Sequence, residues 1–150
     1  MIDLSKNESV TVLKTKNGDI EIDLTDLNTL DSMVRFAENY YKMGARIEKK
    51  LELAKTKSDK LGKNKILTEK QKYEMQLYKE EIEKAKSEID LFLGNGSSEK
   101  LFGKRMSILM FRDFIEVLSP FIEKAQENAI KAMNETRKKY DISDDDDLLV

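Results

Sequence analysis

The chain has 150 residues, of which 37% are charged, with a net charge of −2, a single Pro and no Trp. This length suits one domain with a modest core, and the composition is that of a helix-rich protein with wide solvated faces. The absence of both Cys and His removes disulfides, thiolate nucleophiles, Cys-ligated zinc, the commonest general base and any Ser-His-Asp triad.

The opening run Met1-Ile2-Asp3-Leu4-Ser5-Lys6 lacks the basic start and apolar stretch of a signal peptide. No segment approaches the ~20 apolar residues that span a bilayer. A soluble cytoplasmic protein without membrane contact is the expectation.

Residues 9–24 read as a β-hairpin. Ser9 to Lys14 is β-branched and alternating, Asn17-Gly18 tolerates the positive φ angles of a tight turn, and Ile20, Ile22 and Leu24 alternate with acids. An isolated hairpin is marginal in water. It must lie on a helix or pair with a strand of another chain.

A first helix is predicted over 27–60, capped by Thr25 or Asp26, with Asp31 as a further candidate. Its apolar seam runs through Leu30, Met33, Ala37, Tyr40, Gly44, Ile47, Leu51 and Ala54, and Gly44 predicts close approach of a partner helix. A loop rich in lysine follows, with Lys55, Lys57, Lys60, Lys63 and Lys65. The second helix is predicted over 68–93, with Thr68 and Gln71 forming a capping box. Its seam is Met75, Tyr78, Ile82, Ala85, Ile89 and Phe92. The two seams predict an antiparallel helical hairpin.

Gly94-Asn95-Gly96 then turns the chain, Ser97 or Ser98 caps a short helix over 97–102, and Gly103 ends it. A third long helix is predicted over 104–139, apolar nearly all round in its first half and hence the most buried element. Pro120 inside it predicts a kink or break near Leu118-Ser119, with Ser119 recapping. Residues 1–140 thus form one mainly α domain, with an N-terminal β-hairpin, a helical hairpin and a long third helix. Residues 141–150 carry the run Asp144 to Asp147, and repulsion between adjacent like charges predicts a disordered acidic tail.

Chemistry-bearing patterns are few. The acidic run lacks the loop glycine and terminal Glu of a calcium hand. Gly94-x-Gly96 follows a helix, with no Gly-Lys-Ser/Thr, and suits a helix end better than a phosphate loop. The lysines at 55–65 lack interleaved aromatics and arginines, and the chain is net acidic, which argues against nucleic acid. Glu80, Glu81 and Glu83 lie among Lys79, Lys84 and Lys86, as in ordinary surface pairing. Tyr40, Tyr41 and Tyr78 sit at seam spacing and read as core or interface. No nucleophile, base and oxyanion donor assemble. A non-enzyme without catalytic, cofactor-binding or metal site is the expectation.

The stretch Ile89 to Gly103, IDLFLGNGSSEKLFG, is the most hydrophobic and glycine-rich joint of the chain. It resembles the "FFGEGTxEKLFG" motif of tail assembly chaperones encoded by long-tailed phages and prophages of Gram-positive bacteria. The motif positions are Phe92, Gly94, Gly96, Glu99, Lys100, Leu101, Phe102 and Gly103, with departures at Leu93 and Asn95. The helix from Met106 to Ile122, and the hairpin ending in Asp23-Leu24-Thr25-Asp26, are also similar to that family. The resemblance implies a non-catalytic protein of viral morphogenesis. Such a protein coats the tape measure protein in the host bacterial cytoplasm, yields to tail tube subunits and is not expected in the mature virion. A frameshifted longer product is part of the same implication.

A coating protein needs adaptable apolar surface for an amphipathic helix. Met106, Met110, Phe111, Phe114, Phe121 and Met133 are the candidate partner-binding residues, and self-association into a homo-oligomer is expected. Two other readings stay open: a minor tail or head–tail adaptor protein of the virion, suggested by the hairpin, and a nucleic-acid-binding regulator, suggested by the lysines.

Overall fold

The computed structural model describes residues 10–54 and 66–140. The chain is mainly helical behind an N-terminal two-stranded hairpin, as the sequence predicts. Strands β1 (Val10–Thr15) and β2 (Gly18–Asp23) pair antiparallel, with Thr11 opposite Ile22 and Leu13 opposite Ile20. Ile20, Ile22 and Leu24 are buried. The hairpin lies on helices: β2 contacts the second helix and the short one after it.

Helix α1 spans Leu27–Leu53, with Ala54 as its C-cap. The Asp26 carboxylate caps it by accepting from the Asn28 N–H at 2.8 Å. Thr25 instead donates its hydroxyl to Asp23 at 2.6 Å, and Asp31 pairs with Arg35 one turn on. The predicted extension to residue 60 and the lysine loop fall outside the described residues, as does the 141–150 tail.

The α1 seam keeps Met33, Tyr40 and Ile47 of the predicted stripe and differs from it between them, with Ala37 only half-buried. Phe36 and Met43 are buried, whereas Gly44 is exposed and a Cβ there would meet nothing within 4 Å. Positions 33, 36, 40, 43 and 47 make the same alternation of threes and fours, and the larger side chains of Phe36 and Met43 gain more from burial than Gly44 can.

Helix α2 spans Glu69–Leu93, and its Thr68–Gln71 capping box forms reciprocally at 3.0 and 2.9 Å. The short α3 covers Ser97–Phe102. Helix α4 spans Ile108–Tyr140, beginning four residues later than expected. Two contacts hold the preceding segment out of the helix: Arg105 N–H reaches back to the Phe102 carbonyl at 3.4 Å, and Lys86 Nζ donates to the Gly103 carbonyl at 3.3 Å.

Of the kink or break expected near Leu118-Ser119, a break does not occur: helix α4 continues through Pro120. Ser119 does not recap it; its hydroxyl donates to the Ile115 carbonyl at 3.0 Å. The flanking turns are anchored by Phe114, Ile115 and Leu118 on one side and Ala125 on the other, all buried. Glu116 and Pro120 are exposed, so the carbonyl deprived of its N–H partner faces water. The helix is less buried than its composition suggests, since Ile108, Leu109 and Val117 are solvent-exposed.

Helix α1 packs against both α2 and α4. Phe36 sits at their junction, with ring centroids of Phe92, Phe111 and Phe114 at 6.1, 6.0 and 5.6 Å. A second, smaller cluster of Met43, Ile47 and Leu77 closes the far end of the helical hairpin.

Candidate functional site

The Ile89–Gly103 joint is built as a structural clasp. Gly94 and Gly96 adopt φ of +106° and +84°, angles that a side chain at Gly96 would strain. Neither Ser97 nor Ser98 caps α3. The Asp90 carboxylate on α2 accepts from the Ser98 N–H at 2.8 Å, and Ser97 donates back to the Leu93 carbonyl at 3.0 Å. Lys100 ties the joint to the hairpin turn: its Nζ donates to the Asp19 carbonyl at 3.3 Å, and its own carbonyl accepts from Asn17 Nδ2 at 3.5 Å. A Cβ on Gly18 would come within 3.3 Å of Lys100 Cε. Phe102 meets Phe111 and Phe114 edge-on at 5.1 and 5.4 Å. Leu101 is half-buried against the core, whereas Glu99 is exposed.

The most polar internal feature lies between α1 and α2. Glu81 is buried and accepts two hydrogen bonds from Arg46, Nε to Oε1 at 3.1 Å and the second nitrogen to Oε2 at 3.0 Å. The Arg46 hydrogen bonds hold the Glu81 carboxyl below its ordinary range, against the opposing effect of burial. The adjoining cleft of about 310 Å³ is lined by Asn39, Lys50, Lys84 and Glu88 over Phe36 and Phe111. Glu81 is therefore not a surface-pairing residue: its partner lies 35 positions away. No buried polar side-chain atom lacks a hydrogen-bond partner among the described residues, and no group of three acidic residues there is placed to hold a metal ion.

The six candidate partner-binding residues divide sharply. Met110, Phe111 and Phe114 are core residues, so the structure corrects their assignment to a binding surface. Met106 and Phe121 are half-buried against that core. Met133 is open, 49% exposed.

Met133 belongs to the larger open surface. Every residue from Ile130 to Tyr140 is exposed, a length of ~16 Å of helix. The steps from Phe111 through Ile115, Leu118, Ile122, Ala125 and Ala129 trace one face, and Met133, Thr136 and Tyr140 continue it past the body. Ile130 lies one turn from Met133 and is also exposed. A second open surface is a groove of about 320 Å³ between α2 and the start of α4, lined by Met75, Tyr78, Ile82, Met106 and Ile108. Met75, part of the predicted α2 seam, is thus exposed rather than core, and Ile108 is exposed beside it.

No helix among the described residues is long and apolar enough to cross a membrane. The fold and these surfaces define a mainly helical protein with apolar faces left uncovered by its own described residues. The chain matches no protein-family model, no curated protein and no solved structure.

Proposed function

We propose that this protein is a non-catalytic phage tail assembly chaperone that binds the tape measure protein in the host cytoplasm and keeps it soluble until tail tube subunits displace it. The observation that carries the reading is the bare end of α4, where Met133 and Tyr140 extend the core-facing stripe with Ile130 beside them. An amphipathic helix of a tape measure protein would complete that stripe as α1 completes its earlier turns. The side chains suit repeated, displaceable contacts: Met adapts to irregular partners, and the neighbouring Lys131, Arg137, Lys138 and Lys139 keep the end solvated. The likeness of the Ile89–Gly103 joint to the family motif supports the same reading.

The virion-component reading loses part of its motive, because the hairpin is seated on α2 and α3 of its own chain. Co-expression with a tape measure protein from the same genome is the direct test. The expected result is a soluble complex that elutes together and is lost with Met133→Asp. Unchanged tape measure solubility with no co-elution overturns the proposal, and abundant protein in purified virions favours the tail-component reading.

A further inference from the structure

We infer that residues 144–150 of one copy dock in the groove between α2 and the start of α4 of a second copy, so that the chain self-associates through its own C-terminal segment. The groove has an apolar floor that the described residues leave open, with Met75 at 48% and Ile108 at 36% exposure and Tyr78 half-buried. Its surroundings are basic. Lys79 lines it, and the exposed Lys104 and Arg105 immediately precede Met106. Lys86 anchors the same crossing at the Gly103 carbonyl. Glu74 is the acidic residue in the lining. Among the described residues none of these four cations takes part in an ion pair.

The complementary sequence occurs once in the chain: Asp144 to Asp147, followed directly by Leu148-Leu149-Val150. Four carboxylates match the basic rim, and three aliphatic side chains match the floor. Distance decides whether the contact forms within a chain or between chains. The groove lies at Ile108, the first residue of α4, and the segment departs from Tyr140, its last. The 32 steps between them span ~48 Å at 1.5 Å per residue. Ten residues beyond Tyr140 reach at most ~36 Å fully extended. The segment therefore cannot fill its own groove, and a neighbour must supply it. Reciprocal exchange gives a closed dimer, whereas one-way donation gives open chains.

This inference does not rest on the tape measure reading, since it is tested on this protein alone. Sedimentation of the full chain over a concentration series should show reversible self-association that weakens as salt rises. Deleting 144–150, replacing the four Asp with Asn, or making Met75→Asp with Ile108→Asp should each weaken it ~tenfold or more, with helical circular dichroism unchanged. A peptide of residues 141–150 should bind the deleted chain, and not the Met75→Asp, Ile108→Asp form of it. A full chain that stays monomeric, or a deleted chain that associates as before, overturns the inference. So does a peptide that binds equally to both forms, as expected if the acids merely pair with Arg137, Lys138 and Lys139.

Discussion

Residues 108–129 and 130–140 are one helix with one periodicity, yet they meet opposite fates. In the first part Phe111 and Leu118 are completely buried; in the second no residue is. The apolar stripe does not change between them. What changes is that α1 packs against the first part, with Asn128 Nδ2 donating to the Leu24 carbonyl, just past β2, at 3.2 Å near the boundary. An amphipathic pattern specifies which face is to be covered, and the covering need not come from the same chain.

Mutations on either side of that boundary sharpen the contrast. Phe111→Ala should cost about 3–5 kcal/mol in urea unfolding, because it opens a cavity under Phe36 and Phe102. Arg46→Ala should cost about 2 kcal/mol, less than breaking a fully buried pair since Arg46 is 37% exposed. The same pair predicts a pH effect. The folded-state pKa of Glu81 is depressed below 4.5, so its contribution is present above that value and is lost as pH falls through the folded pKa. Glu81→Gln should flatten this part of the acid unfolding profile. Gly96→Ala should cost about 1 kcal/mol for the left-handed backbone at φ +84°. Met133→Asp should change stability by no more than ~0.5 kcal/mol, while removing the proposed tape measure binding. A larger loss of stability would mean that the end of α4 packs on its own chain, and the contrast would collapse.

Much of the architecture was legible because its signals are local. Asn17-Gly18, the Thr68–Gln71 box and the Gly94–Gly96 turn each act within a few residues, and each marked an element correctly. The failures concern choices that local spacing leaves open. Phe36 or Ala37, and Met43 or Gly44, fit the same period between the shared positions Met33, Tyr40 and Ile47, and only the packing of Phe92, Phe111 and Phe114 around Phe36 favours the first choice. Glu81 resembles its neighbours Glu80 and Glu83 in sequence, and its burial becomes evident only when α1 brings Arg46 alongside. Asp90 caps a helix that begins after an intervening turn, so no capping spacing announces it. For the proposed binding surface, composition could point to Met and Phe on α4. It could not separate Phe111, which the described residues cover, from Met133, which they leave open.

The clip between Lys100 and the hairpin turn has a consequence for synthesis. The bond from Lys100 Nζ to the Asp19 carbonyl joins residues 81 positions apart. At ribosomal rates of ~5–20 residues per second, the hairpin waits roughly 4–16 s for that partner to be made. Ile20, Ile22 and Leu24 have no complete helical bed during that interval. The hairpin is thus among the last elements to be secured, and nascent chains stalled before Lys100 should expose it as a sticky, protease-sensitive segment.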